Sequence, residues 1–285
     1  MGYAERQKLF LECEALRGKP LIAYVTSTRP KAGGSMAEDA ILPIIEQVKA
    51  VSEGSDIDFL IISNGGDALS ALRIVDILRE RFERISVLVA HVAFSSATLL
   101  ALGADEIVMH PYSNLGPVDP QISVTKVNKK GQREHFSFTS EDIRHYLDFL
   151  RSDVGITDQA FLSSAFLSLA DVIGPLALGT SKRAQQPSFS LSVKMLETHM
   201  EGDKERAVSI AKALTSKYFD HGYAVSRKEA EELGLNIAKQ NPDLESIMWD
   251  IWVDYCNEMK CDRAFDRRSH GTHQQPPGKT VHFKY

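Results

Sequence analysis

Four short apolar runs, separated by turns and by segments of helical periodicity, most constrain the fold of this chain. They lie at PLIAYVTS, IDFLIIS, ISVLVA and DEIVMHP, all before about Pro120. Their lengths and β-branched content predict buried strands. Strands that alternate with helices indicate an α/β fold with a largely parallel sheet.

Helical periodicity places three helices in this first half. The apolar spacing predicts an opening helix over Glu5–Leu16 and further helices over Ala37–Val51 and Ala68–Phe82. A short buried helix is expected at LLALGA, after the third strand. This order of elements is regular as far as about Pro120.

The second half has a different pattern. A polar segment, TKVNKKGQREHF, leads into a run of helices from Ser140 to about Met259, with interruptions expected near GPLALG, QQPS and HGYAV. From Asp262 onward there is little apolar periodicity, which predicts a flexible tail. We therefore expect three parts: a catalytic domain with a helical insert over 1–238, a C-terminal helix over 239–261 and a tail over 262–285.

Charge and composition exclude several classes of partner. The 285 residues carry 33 Lys and Arg against 38 Asp and Glu, a formal charge of −5, without a dense basic block. This balance does not favour a nucleic acid or an anionic membrane. No run approaches the roughly 20 apolar residues of a membrane span, and the charged residues before Lys19 argue against a signal peptide.

Cysteine usage indicates a reducing compartment. Cys13, Cys256 and Cys261 are too few for a disulfide framework and lack the spacing of a zinc site. We expect a cytoplasmic protein with no metal and no cofactor.

Two strand ends carry residues suited to catalysis. Gly65 and Gly66 follow the IDFLIIS strand in SNGGD, where their backbone N–H groups can form an oxyanion hole. Ser95 and Ser96 follow the next strand in AFSSAT, at a strand-to-helix junction. The carboxyl ends of parallel strands meet at one edge of the sheet, so the two loops are expected to lie together. Either signal alone is more typical of a turn or a helix cap.

A longer pattern carries a family resemblance. The three stretches PLIAYVTS, IDFLIISNGGD and VLVAHVAFSSATLLALGADEIVMHPYSNLGPVDPQI resemble the serine dehydrogenase proteinase family, which is related to Clp protease and signal peptide peptidase A in the ClpP/crotonase superfamily. HGYAVSRKEAEELGLN is similar to a late segment of such peptidases. The resemblance covers about Gly18 to Gln121 and, more loosely, Ser190 to Leu235.

The resemblance implies a ββα-spiral core, self-association and hydrolysis of a peptide or protein substrate by a serine nucleophile. By position, Ser95 matches the nucleophile, with Ser96 as the neighbouring candidate, and Gly65 and Gly66 match the oxyanion loop. The sequence departs from the family pattern at Asn64, where we expect Pro, and at Ala97, where we expect Gly. The Ala97 Cβ is expected to narrow the site.

The general base is open at this stage. A serine hydroxyl needs a proton acceptor, either a histidine or a lysine whose pKa is lowered. The signal peptide peptidase arrangement places a lysine some tens of residues after the serine, which favours Lys129. The alternatives are Lys126, Lys130, Asp119 and His221. His91 and His110 flank strands and are expected to be structural.

Three functions compete. The first is an ATP-independent serine peptidase of the Ser–Lys type, and the second is a catalytically silent scaffold. The third is crotonase-like acyl-CoA chemistry, which ranks last because ADEIVM and LGPVDPQ resemble peptidases. Ile247, Trp249, Ile251 and Trp252 form an apolar helix face. Such a face packs in the core or against another subunit, and we expect it to contact a partner in a homo-oligomer.

Overall fold

A computed structural model describes residues 2–51, 54, 56–127, 131–200, 202–218, 220 and 222–266. Ten α-helices are found in these ranges: α1 Tyr3–Arg17, α2 Ile41–Ala50, α3 Ala68–Arg81, α4 Ser96–Leu102, α5 Ser140–Asp148, α6 Gln159–Ile173, α7 Pro175–Glu197, α8 Lys204–Ser216, α9 Arg227–Glu232 and α10 Pro242–Met259. A 3₁₀ turn at Glu38–Ala40 precedes α2, and a π turn at Phe149–Asp153 follows α5.

The six-stranded sheet confirms the α/β class. Its strands are β1 Leu21–Val25, β2 Asp56–Ser63, β3 Arg84–Ala93, β4 Glu106–Met109, β5 Asn114–Leu115 and β8 Val225–Ser226. The order is β1-β2-β3-β5-β8, and β4 also pairs with β3, so that β4 and β5 follow one another along the same strand. All pairs are parallel except β5 with β8. Parallel strands are buried on both faces, which explains why their sequences are continuously apolar.

Helices cover both faces of this sheet. One face packs against α2, α3, α4, α8 and the C-terminal part of α7, around core residues such as Ile74 and Met195. The other face packs against α1 and α10, around Cys13 and Ile251. The buried Arg6 of α1 pairs with Asp254 of α10, which ties these two helices together.

The face at Ile247–Trp252 needs no second copy of the chain. Ile251 and Trp252 are buried against the sheet, and the ring of Trp252 stacks on His91 of β3 at 4.0 Å. The expectation that this face seeks a partner is therefore wrong, because the partner of α10 is the chain's own sheet.

Two local expectations also differ from the structure. The polar segment after Pro120 forms an antiparallel hairpin, β6 Ile122–Val127 and β7 Arg133–Phe138. The break expected near QQPS is absent, since α7 continues through Pro187. Proline removes a helical hydrogen bond, but Met195 and Leu196 farther along α7 are fully buried in the core and hold the helix in place. The break at GPLALG is present, with α6 ending before Gly174.

Residues 122–180 form a projection that we call the helical arm, which consists of β6, β7, α5, α6 and the start of α7. Only Thr139, Leu162 and Ile173 are buried among its described residues. Within the described ranges, no single helix has the length and apolar character needed to cross a bilayer. Helices α6 and α7 meet that requirement only as a pair, with a bend of 95° between them.

Candidate active site

The carboxyl ends of β2 and β3 open into one cavity of about 410 Å³. Gly65 and Gly66 reach it from the loop after β2, and Ser95 and Ser96 from the loop after β3. The loop after β1, the segment around Asp119 and residue 188 of α7 complete its walls. The structure therefore brings together the two strand ends that the sequence singled out.

Ser95 has a strained backbone. Its φ of 52° and ψ of −118° lie in a region that L-residues rarely adopt, at a cost of about 1–3 kcal/mol. The strain is held by a sharp turn in which Phe94 bonds back to β2 and Ala97 N–H donates to the carbonyl of Phe94 at 2.9 Å. The turn leaves the Ser95 side chain half-buried at the cavity, and its Oγ has no hydrogen-bond partner among the described residues.

Ser96 and Ala97 face the protein interior. Ser96 is only 2 % exposed and its hydroxyl points at the sulfur of Met36, 3.7 Å away. Ala97 is fully buried in the core of α3 and α4 and is not among the residues that line the cavity. The expectation that its Cβ narrows the site is therefore wrong, since that Cβ packs inward.

The glycine loop is fixed by hydrogen bonds on one side and open on the other. Gly65 N–H donates to Ser63 Oγ at 3.1 Å, and Ser63 Oγ also accepts from the hydroxyl of Thr26 at 2.9 Å. Gly66 is exposed, and its N–H donates to no acceptor in the described part of the chain. Of the two glycines, Gly66 is thus the one whose N–H is available to a ligand.

Both glycines are required by close backbone approaches. At Gly65, with φ of 93°, a Cβ would lie 2.4 Å from the carbonyl oxygen of Phe94. At Gly66, with φ of 152°, it would lie 2.2 Å from the carbonyl oxygen of Met36. Met36 and Gly66 form an isolated parallel bridge, in which Met36 N–H donates to Gly65 O at 2.8 Å and Asp67 N–H to Met36 O at 2.8 Å. A Gly66→Ala substitution would therefore displace this loop whatever the role of its N–H.

The candidate bases have different positions. Asp119 lines the cavity. Lys126 lies on the exposed hairpin, and its ammonium donates to the carbonyls of Asp171 and Val172 at the end of α6. Lys129, Lys130 and His221 lie outside the described residues.

The two histidines near β3 lie on the face of the sheet that packs against α1 and α10. His91 stacks on Trp252, and His110 stacks on Trp249 at 4.9 Å. Burial lowers the pKa of His91, and the nearby His110 lowers it further. Burial likewise lowers the pKa of His110. Their aromatic packing fits the structural role expected of them.

Three residues around the site were not predicted from the sequence. Ser63 anchors the glycine loop, Met36 bridges it, and Ser188 closes the cavity from α7. The Gly33–Gly34 pair in TRPKAGGS marks a tight backbone approach to Ser27, and it does not indicate the contact between Met36 and Gly66. Ser188 had no sequence signal, because it lies next to a proline where we expected the helix to end.

Residues 37–131, which include Ser95 and both glycines, match the family model described as ClpP-like SDH-type serine proteinase. The resemblance deduced from the sequence is thus confirmed for about a third of the chain.

Two curated proteins with similar sequences come from Methanocaldococcus jannaschii, and both are described as uncharacterized. One is 29 % identical over 199 residues and the other 28 % over 216 residues, which cover 70 % and 73 % of this chain. The matched regions span only 58 % and 63 % of the relatives' own lengths.

Two solved structures show a remote similarity to this chain. Both are mutants of a membrane-bound stomatin-specific protease, one of them in complex with a substrate peptide. Each has a TM-score of 0.42 and 14 % identity, over 79 % of this chain and 78 % or 84 % of the other.

Proposed function

We propose that this protein is a serine peptidase that hydrolyses peptide bonds with Ser95 as its nucleophile. The observation that carries the proposal is the strained, half-buried Ser95, which meets the glycine loop in one cavity. Backbone strain of this kind is expensive and is kept where a side chain must be presented to a ligand. The family of residues 37–131 supplies the reaction class.

In this mechanism the Ser95 hydroxyl attacks the carbonyl carbon of the scissile bond and gives its proton to the base. The negative charge that develops on the carbonyl oxygen is stabilised by the N–H groups of Gly66 and Ser96. Neither group donates to an acceptor in the described part of the chain. The base then protonates the leaving amine, and a water molecule hydrolyses the acyl-enzyme by the same route in reverse.

We further propose that Lys129 is the base. The alternatives, in the order in which we would test them, are Lys130, Asp119, His221 and Lys126. Lys126 ranks last because its ammonium is already engaged by the carbonyls of α6. For a lysine to serve, its pKa must fall toward neutrality, which requires burial or a neighbouring positive charge. Gly65 acts in this scheme by positioning Gly66, since its own N–H is bonded to Ser63.

The decisive experiment combines active-site labelling with peptide hydrolysis. We expect a fluorophosphonate to label Ser95 and Ser95→Ala to lower turnover by at least about 10³-fold. Ser96→Ala is the matched control, because Ser96 faces the core, and it should remain labelled and active. Lys129→Ala should be as inactive as Ser95→Ala, and the double variant hardly worse, since the two groups act as one unit.

Two results point elsewhere. A folded wild type that neither binds the label nor cleaves a peptide library supports the silent scaffold. A thermal shift with coenzyme A, without labelling of Ser95, supports acyl-CoA chemistry.

We also propose that the chain self-associates through the helical arm and that it works in a reducing, cytoplasmic compartment. The arm exposes large apolar side chains, among them Phe161, Leu167 and Leu176, which a second copy could cover. The number and spacing of the three cysteines, which fit no disulfide framework, support the reducing compartment.

A further inference from the structure

The segment after α10 lies across the loop that follows β1. We call it the C-terminal strap, Cys261–Phe265. Phe265 N–H donates to the carbonyl of Pro30 at 2.9 Å, and the guanidinium of Arg29 donates to the carbonyl of Arg263 at 3.1 Å. Arg29 is 7 % exposed and lies over the Phe265 ring at 5.1 Å. The strap is therefore attached to this loop by backbone and side-chain contacts.

The same loop reaches the candidate active site at its other end. Gly34 N–H donates to the carbonyl of Ser27 at 2.6 Å, which closes the loop on itself. Two residues later Met36 bridges Gly66. The strap thus supports, from the outside, the loop that positions the glycine loop.

Two cysteines meet where the strap leaves α10. Lys260 ends the helix in the left-handed conformation, with φ of 57°, and Cys261 N–H donates to the carbonyl of Cys256 at 2.9 Å. This hydrogen bond is the long one of the Schellman motif, which brings the side chains of its two residues together. The side chains of Cys256 and Cys261 are accordingly neighbours at the C-terminal end of α10.

The pair has access to solvent and a link to the loop. Both cysteines are partly exposed, whereas Cys13 is fully buried. The sulfur of Cys261 lies 3.3 Å from the hydroxyl of Thr28, the residue before Arg29. A chemical change at the Cys261 sulfur therefore alters a direct contact with the loop after β1.

We propose that Cys256 and Cys261 form an oxidisable dithiol, whose intramolecular disulfide fixes the C-terminal strap to α10 and thereby stiffens the loop after β1. The disulfide itself does not depend on the proposed peptidase function. Its oxidant is a low-molecular-weight disulfide such as oxidised glutathione.

The reaction balances in two exchange steps. The Cys261 thiolate attacks one sulfur of oxidised glutathione and releases one glutathione thiolate. The Cys256 thiol then gives up its proton and attacks the Cys261 sulfur, which releases the second glutathione. Two protein thiols are oxidised while one glutathione disulfide is reduced to two thiols.

The order of attack follows from the surroundings of Cys256. Burial and the neighbouring Cys261 thiol raise the pKa of Cys256 to about 11. Cys256 is thus the poorer first nucleophile at neutral pH, and disulfide formation should accelerate as the pH rises.

The test treats the full chain with oxidised glutathione and maps its disulfides by peptide mass spectrometry. We expect a Cys256–Cys261 bridge in the wild type and in Cys13→Ser, the matched control, and none in Cys256→Ser or Cys261→Ser. Amide exchange of Arg263 and Phe265 should slow on oxidation by up to about 40-fold, the entropic limit for a closed loop of six residues. Exchange at Met36 should slow in the same direction.

Each outcome decides the proposal. A stable mixed disulfide with glutathione, or a bridge that involves Cys13, overturns the dithiol. A Cys256–Cys261 bridge that leaves exchange of the strap unchanged overturns the stiffening. Peptidase activity is not the readout, so loss of the proposed function leaves this test intact.

Discussion

The central sheet and the helical arm follow opposite rules of burial. In β2, seven of eight residues are buried, whereas α6 buries only Leu162 and Ile173 along its length. Yet α6 is rich in apolar residues and carries no charge before Asp171. A helix that is apolar all round is normally covered, so the core is complete within one chain and the arm is not.

The contrast predicts unequal effects of truncating apolar side chains. Ile74→Ala in the core should lower the free energy of unfolding by about 2–5 kcal/mol, because it leaves a cavity. Leu167→Ala on the arm, where the side chain is 64 % exposed, should change it by less than about 0.5 kcal/mol. Urea titration of both variants at low protein concentration measures the difference. Equal losses would mean that the arm is already covered.

The next prediction concerns what covers the arm. Sedimentation of the wild type should show a species larger than the 31.7 kDa chain. Phe161→Glu should weaken this association by about tenfold or more, which corresponds to about 1.4 kcal/mol. Leu42→Glu is the matched control, since Leu42 is equally exposed but lies on α2. A wild-type monomer at micromolar concentration, or equal effects of the two variants, contradicts the proposed contact.

A smaller effect concerns how the free energy of unfolding depends on pH, because the core contains the buried His91. The pKa of His91 is lowered from an ordinary 6.5, chiefly by burial against Trp252 and then by His110. Below pH 6.5 the unfolded chain therefore binds more protons than the folded chain, so stability falls as the pH falls toward the folded-state pKa. The slope is at most about 1.4 kcal/mol per pH unit for one proton.

His91→Phe keeps an aromatic ring on Trp252 and removes this proton, so it should reduce the loss of stability in acid. His110, beside Glu245 and Arg227, keeps its own contribution. The wild type measured in the same series is the reference for this slope. Unfolding free energies between about pH 5 and 8 provide the measurement, and an unaltered slope in His91→Phe would refute the assignment.

The sequence was most informative where burial is continuous. The runs at β1 to β4 are continuously apolar and rich in β-branched residues, so they predicted both the strands and the edge at which Ser95 and Gly66 meet. The hairpin was missed because the apolar alternation in β6 is limited to Ile122 and Val124, and none of its residues is buried. Continuation of α7 through Pro187 was missed because it depends on packing of Met195 and Leu196, which no local pattern records.

The sequence predicted the two loops of the site but not the residues that hold the glycine loop in place. Gly-Gly and Ser-Ser each follow a strand, and parallel topology alone brings them together. The bond from Gly65 to Ser63 and the bridge from Met36 to Gly66 are tertiary, and they decide which N–H is available. The apolar face of α10 was recognised correctly, but periodicity does not say whether a face meets its own sheet or a second chain.

The backbone conformation of Ser95 lowers the free energy of unfolding at the position that carries the proposed nucleophile. Glycine adopts φ of 52° without penalty, so Ser95→Gly should fold more stably than Ser95→Ala, by up to about 1–3 kcal/mol. A lineage of this fold that no longer needed its hydroxyl would thus gain from a glycine there at once. The serine is the costlier residue at this position, so the fold holds the proposed nucleophile at the expense of its own free energy of unfolding.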